Sequence, residues 1–105
     1  MADLVEADRR GLSTDAAATL LGGHVDEIPH RYSEASPLAR VPVGARHVVV
    51  HGTNDESVPI EISDAYVEAA RSAGDDVAYL RSTDLDHMAV IDPNHSIWLD
   101  IAELL

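Results

Sequence analysis

Three consecutive valines, Val48 to Val50, constrain the fold of this chain more than any other feature. They lie within residues 46–51, and an uninterrupted β-branched run of this kind is typical of a parallel strand covered on both faces. Residues 77–81 predict a second, less apolar strand. Parallel strands need a crossover connection, which is usually a helix. The sequence therefore predicts a βαβ unit and an α/β fold.

The segment between the two strands has the spacing of an amphipathic helix. Its apolar side chains recur every three or four residues: Ile62, Ala65, Tyr66, Ala69, Ala70 and Ala73. Pro59 lies near the start of this segment, and Gly74 is placed to end the helix in the left-handed conformation. We expect one face of the helix to cover the sheet.

A second amphipathic pattern predicts a last helix. Its apolar stripe consists of Ile97, Trp98, Ile101, Leu104 and Leu105. Asp92 or Asn94 is available near its start to cap the first turn. We expect Trp98 and the leucines of this helix to be core residues.

Residues 1–34 lack the strand pattern and predict short helices. A first helix begins near Leu4, where apolar residues start to recur. A second helix begins at Ser13 or Thr14, because either side chain can cap it, and it ends at Gly22. This part of the chain is therefore predicted to be a helical lead-in.

The pattern changes near Pro37, because proline biases the residue before it away from helix. Residues 35–105 then predict the order β, α, β, α. Two parallel strands make a sheet that is too small to be stable in water without neighbours. We therefore expect residues 35–105 to be an incomplete domain, a piece of a larger parallel sheet.

The charge balance restricts the partners of the chain. Seven arginines and no lysine oppose 19 acidic residues in the 105-residue sequence, which gives a net charge of −12. This charge would repel a phosphate backbone, so no nucleic-acid partner is expected. An acidic surface that attracts cationic substrates and one that is merely well solvated remain alternative interpretations.

Other absences in the sequence exclude further classes. Without cysteine, the chain has no disulfide, no thiolate nucleophile and no cysteine-ligated zinc, and no cofactor or metal is predicted. No apolar stretch approaches the roughly 18 residues that span a membrane. The first residues are acidic where a signal peptide is basic. We expect no membrane partner, and a cytoplasmic location is compatible with the sequence.

Two polar residues that follow the predicted strands suggest chemistry. Asp55 and His87 lie in the loops just after residues 46–51 and 77–81, 32 residues apart. In open α/β sheets the reactive groups gather at the carboxyl ends of the strands. Adjacent parallel strands would bring the two loops together, so the Asp55 carboxylate could accept a hydrogen bond from the His87 ring. The sequence thus predicts an acid–base pair.

Two motifs carry a resemblance to a known family. These are HGTNDESVP at residues 51–59 and DHMAVIDP at residues 86–93. With them, residues 36–105 resemble the last third of α/β-hydrolases of the esterase, arylformamidase and prolyl-oligopeptidase type. The resemblance implies that Asp55 is the acid and His87 the histidine of a serine-hydrolase triad. It also implies that residues 1–34 are the remnant of a cap or helical excursion.

The nucleophile of that family does not occur in the sequence. The serine should lie in Gly-x-Ser-x-Gly upstream of the acid, but no glycine pair before residue 55 brackets a serine in this way. The resemblance therefore implies a fragment of a hydrolase, inactive alone, that would act on a small-molecule ester or amide if its missing part were restored. Four residues beside the catalytic positions could contact substrate: Glu56, Ser57, Met88 and Val90.

Each of these interpretations has an alternative. Asp55 could simply form an Asx-type turn, and His87 could pair instead with Asp84 or Asp86. His47 and His51 lie on one face of a strand and raise the possibility of a metal site, which we disfavour because His51 belongs to the motif. The chain could also be a non-catalytic interaction module that self-associates or binds a partner through its exposed sheet edge.

Overall fold

A computed structural model describes residues 1–104, and the predicted core position Leu105 lies outside them. Five helices and two strands make up this part of the chain: α1 (Leu4–Arg10), α2 (Leu12–Leu21), α3 (Pro29–Ala35), β1 (His47–Gly52), α4 (Ile60–Ser72), β2 (Val77–Ser82) and α5 (Ile97–Leu104). Short 3₁₀ turns occupy Pro37–Arg40 and Ala89–Ile91. None of the helices in residues 1–104 is long and apolar enough to cross a membrane.

The two strands form a parallel sheet. Their register runs from His47 opposite Val77 to Gly52 opposite Ser82, and helix α4 connects them. Both predicted strands are confirmed, with each one ending one residue later than expected. Residues 1–104 therefore have a mixed α/β architecture with a two-stranded parallel sheet.

Helices α4 and α5 cover opposite faces of this sheet. On one face, buried residues of α4 pack with Val49 and Tyr79; they are Tyr66, Val67 and Ala70. On the other face, Ile97 and Ile101 of α5 pack with Leu85, Val50 and Leu80. Because successive side chains of a strand alternate between faces, neighbouring residues such as Val49 and Val50 serve different cores. This is the arrangement that the valine run predicted.

The prediction that Trp98 and the leucines of the last helix are core residues was wrong for Trp98 and Leu99, whereas Leu104 is half-buried. Trp98 is 43% exposed and Leu99 is 72% exposed. Ile97 and Ile101, one turn apart, are the residues that α5 buries against the sheet. A two-stranded sheet is narrower than the apolar stripe of the helix, so Trp98 lies at its margin, where its indole Nε1 donates a hydrogen bond to the Asp92 carbonyl at 3.0 Å.

The N-terminal helices have a core of their own, formed by Ala7, Ala17 and Tyr32. The prediction that Ser13 or Thr14 caps α2 was wrong, because both residues adopt left-handed backbone angles, with φ of 53° and 57°, and the cap position is Gly11. With α1 ending at this same glycine, the chain needs a sharp change of direction before it can continue as a right-handed helix.

Candidate active site

The carboxyl ends of β1 and β2 are tied together by backbone contacts. The Thr53 amide donates to the Ser82 carbonyl at 2.8 Å, and the Asn54 amide donates to the Leu85 carbonyl at 3.2 Å. The loops pass so closely that a Cβ atom at Gly52 would overlap the carbonyl oxygen of Leu85. This close approach fixes the loop after β1 against the loop after β2.

The Asp55 carboxylate is held inside the first of these loops. Its Oδ1 accepts hydrogen bonds from the amides of Ser57 and Val58, both at 2.9 Å, and the side chain is only 8% exposed. Burial alone raises the pKa of Asp55, but hydrogen bonds from the Val58 amide, the His87 ring and the Ser57 amide outweigh it and place the pKa below its usual value of 3.8. Asp55 is therefore charged at neutral pH.

His87 meets this carboxylate from the neighbouring loop. Its Nδ1 lies 2.9 Å from Asp55 Oδ2, and its side chain is 48% exposed. Because an ionised carboxylate only accepts hydrogen bonds, Nδ1 carries the hydrogen. The other nitrogen, Nε2, has no hydrogen-bond partner within residues 1–104 and is then the basic atom of the neutral ring. The loop arrangement thus brings the predicted acid and base into contact.

The rival aspartates do not pair with His87 among the described residues. Asp86 Oδ1 accepts from the amides of Met88 at 3.0 Å and Ala89 at 2.8 Å, so it stabilises the turn that follows the histidine. The backbone amide of Asp84 donates a hydrogen bond to the Ser82 hydroxyl oxygen at 3.2 Å. The Asp55 carboxylate also organises a turn, as the alternative interpretation expected, but it does so with Oδ1 and leaves Oδ2 for the histidine.

The two other histidines of the motif region have separate partners. The His47 ring contacts the Tyr66 hydroxyl and the Ala45 carbonyl, whereas the His51 ring contacts Ser63 and the 55–58 turn. In the part of the chain that the structure describes, no group of three histidine, aspartate or glutamate side chains is arranged to hold a metal ion. The metal interpretation of these histidines therefore has no geometric basis in residues 1–104.

A cavity of about 250 Å³ opens beside the pair, and both His87 and Asp55 line it. Met88 and Val90, two of the predicted substrate contacts, line the same cavity. The other two, Glu56 and Ser57, line an adjacent cleft that shares His87 and Met88 with the cavity. The structure thus groups all four residues around His87, although in two separate depressions.

Ser63 is a site residue that the sequence pattern did not identify. It lies in the first turns of α4, lines the cavity and is buried, with its hydroxyl against the His51 ring. A signal for it was present, because Ser63 is three residues before Tyr66 and four before Val67, on the buried face of the helix. A polar side chain on such a face needs a buried hydrogen-bond partner.

These contacts can hold an imidazole in one tautomer with its basic nitrogen facing solvent and a cavity. That is the requirement for general-base catalysis assisted by a carboxylate. Within residues 1–104, no serine hydroxyl is hydrogen-bonded to His87. The described residues therefore contain an aspartate–histidine contact with no serine hydroxyl bound to the histidine.

A comparison with protein-family models matches residues 13–105, most of the chain, to the model of the prolyl oligopeptidase family. The match begins in α2 and includes both motifs and both strands. Searches of the curated proteins and of the solved structures found no significant match.

Proposed function

The chain belongs to the prolyl oligopeptidase family, and on that premise we propose that it supplies the acid and the histidine of a serine hydrolase that cleaves carboxyl ester or amide bonds. The observation that carries the proposal is the 2.9 Å contact between His87 Nδ1 and Asp55 Oδ2, with Oδ1 held by two backbone amides. The nucleophilic serine comes from outside these 105 residues. Residues 1–34 are, in this proposal, a helical excursion of the hydrolase.

The proposed reaction proceeds through a serine ester. His87 Nε2 accepts the hydroxyl proton of the serine as its oxygen attacks the carbonyl carbon, and it returns that proton to the leaving alcohol or amine. Asp55 keeps the ring oriented and stabilises the imidazolium formed in between. A water molecule, deprotonated by the same nitrogen, then releases the acid and restores the serine.

Substrate contacts follow from the two depressions beside His87. Met88 and Val90 offer apolar surface in the cavity, whereas Glu56 and Ser57 offer polar groups in the adjacent cleft. We assign the substrate to small ester or amide molecules with an apolar group near the scissile bond. Met88→Ala should change the relative rates on apolar and polar acyl groups more than Glu56→Gln does.

The first test uses the 105-residue chain and a fluorophosphonate probe, which reacts with an activated serine. Intact mass should show no adduct and esterase activity should not exceed buffer, because loss of a triad nucleophile costs about 10⁶ in turnover. A stoichiometric adduct that disappears in His87→Ala would mean that a serine of this chain is the nucleophile. That result would overturn the proposal of an external serine.

The second test examines the coding DNA before Met1 and joins any segment encoding Gly-x-Ser-x-Gly to this chain. The joined protein should take up one probe molecule, and His87→Ala and Asp55→Asn should abolish hydrolysis. Asp84→Asn is the matched control, since Asp84 makes no contact with the His87 ring among the described residues. Unrelated upstream sequence, or full activity in His87→Ala, would refute the proposal.

A second candidate function is association through the sheet edge. Each strand pairs with only one neighbour, so within residues 1–104 the outer edges of β1 and β2 have no strand partner. Such edges favour pairing with another chain. Analytical ultracentrifugation would distinguish this function: a concentration-dependent dimer supports it, and a monomer at all concentrations removes self-association as an explanation.

A further inference from the structure

A second histidine contacts the same carboxylate as His87. The His51 Nε2 atom lies 2.9 Å from the Val58 carbonyl oxygen and 3.3 Å from Asp55 Oδ2, and the ring is buried. Both of these oxygens can only accept hydrogen bonds, so Nε2 must carry the hydrogen. The Nε2–H group therefore donates to the Val58 carbonyl and lies beside Asp55 Oδ2, at the other end of the 55–58 turn.

Ser63 determines what the other nitrogen of His51 can do. The Ser63 Oγ atom lies 2.6 Å from His51 Nδ1, and both side chains are buried. When Nε2 carries the hydrogen, the neutral ring has an acceptor at Nδ1. The Ser63 hydroxyl then donates to Nδ1, and helix α4 sets the orientation of the ring.

From these contacts we infer that His51 and Ser63 are positioning residues that hold the Asp55 carboxylate for His87. The Ser63 hydroxyl donates to His51 Nδ1, and the Nε2–H group of His51 lies 3.3 Å from Asp55 Oδ2, the oxygen that His87 also uses. His87 is half-exposed, whereas His51 is buried. The buried ring therefore keeps Oδ2 in place from the side that solvent does not reach. The catalytic meaning of this positioning role rests on the proposed function.

His47 supplies a comparison within the same strand. Its Nδ1 lies 3.0 Å from the Ala45 carbonyl and its Nε2 lies 3.0 Å from the Tyr66 hydroxyl. The carbonyl requires a hydrogen on Nδ1, so neutral His47 is the opposite tautomer from His51. His47 has no contact with Asp55 among the described residues. It is therefore the matched control, a half-buried histidine of the same strand whose ring contacts lie away from the carboxylate.

The test follows the titration of the Asp55 carboxyl carbon by NMR in the full 105-residue chain. His51→Leu removes the N–H dipole that lies beside the carboxylate and should move the titration of Asp55 to higher pH, because that dipole stabilises the charged form. His51→Gln can place an amide N–H near the position of Nε2 and should stay closer to the native protein. Ser63→Ala should shift Asp55 in the same direction as His51→Leu, and Ser63→Thr should restore it.

His47→Leu should leave the Asp55 titration unchanged. The ¹⁵N spectrum of the native chain should also show His51 with its hydrogen on Nε2. The inference is overturned if folded His51→Leu titrates Asp55 as the native protein does, or if His51 carries its hydrogen on Nδ1. If His51→Leu does not fold, the titrations of Asp55 in Ser63→Ala, Ser63→Thr and His51→Gln test the same inference.

This experiment separates the positioning role of His51 and Ser63 from the proposed function. A shift on His51→Leu together with an inactive joined protein would keep the positioning role and refute the hydrolase. An unchanged Asp55 titration together with a joined protein whose activity depends on His87 would refute the positioning role and keep the hydrolase.

Discussion

Gly52 is the residue whose substitution should disturb both the fold and the site most. A Cβ atom there would overlap the carbonyl oxygen, carbonyl carbon and Cβ of Leu85. These are backbone or near-backbone atoms, so no flexible side chain can move aside. Leu85 is itself fully buried against Ile97 and Ile101 of α5, which leaves it no free space to retreat into. The alanine must therefore push the two loops apart.

The cost of Gly52→Ala can be worked out from these contacts. Overpacking a filled core costs about 1–3 kcal/mol. Separating the loops also weakens the bond from the Asn54 amide to the Leu85 carbonyl and the bond from the Asn54 side chain to the Thr83 carbonyl, each worth about 1 kcal/mol. We expect a loss of roughly 3 kcal/mol in the free energy of unfolding. This loss is a large fraction of the free energy of unfolding of a typical domain, which is about 5–15 kcal/mol.

Urea unfolding followed by circular dichroism measures this loss directly. Gly23→Ala is a suitable control, because its added Cβ would meet only the side chains of Ile28 and Glu27, at 3.3 Å or more. That variant should cost less than about 1 kcal/mol. In Gly52→Ala the His87 ring should also lose its contact with Asp55, which an NMR titration of the Asp55 carboxyl would report. A Gly52→Ala protein within about 0.5 kcal/mol of the native stability would refute the reasoning.

Two further predictions concern the helical region and α5. The pKa of Asp8 is lowered, chiefly by the Val25 amide, so its stabilising effect exists above its unfolded pKa and is lost as the pH falls through the lower folded value. The pKa of His24 is raised by its hydrogen bond to Asp8, so its contribution exists below its usual value of 6.5 and is lost as the pH rises through the folded value. Urea unfolding measured from acid pH, where Asp8 becomes protonated, to the pH at which His24 loses its proton should show the free energy of unfolding falling at both ends. His24→Gln should abolish the fall at the alkaline end but not the fall at the acid end. In α5, Ile101→Ala should cost about 2–4 kcal/mol and Trp98→Ala closer to 1 kcal/mol; equal losses in urea unfolding would contradict the observed burial.

The sequence predicted the parts of the fold that depend on periodicity. The strand repeat of the valine run and the helical repeat of α4 predicted the sheet and its connection. Within the predicted stripe of α4, Ile62, Tyr66 and Ala70 are buried, whereas Ala65 and Ala73 are exposed. The contact between Asp55 and His87 was also accessible, because parallel strands deliver the loops at their carboxyl ends to one edge. In each case a local pattern determined a long-range arrangement.

The features that were missed depend on where two elements meet. The contact between His51 and Ser63 requires one side chain of β1 and one side chain of α4 to face each other. The periodicity of a single element does not specify how it is aligned with the other element. Trp98 was misplaced because the stripe of a helix says which side is apolar but not how wide the opposing sheet is. The left-handed turn at Ser13 follows from the shortness of the connection between α1 and α2, which propensities do not describe.

The choice of Asp55 over its acidic neighbours has a geometric cause. Asp86 adjoins His87 in sequence, and its carboxylate is bound to amides of the turn that comes immediately after the histidine. A partner this close in sequence moves with the loop and cannot hold the ring relative to the sheet. Asp55 comes from the other strand, so its bond to His87 fixes the ring across the two loops. An acid that must orient a histidine is therefore better placed a full strand and helix away, and this explains the separation of 32 residues between them.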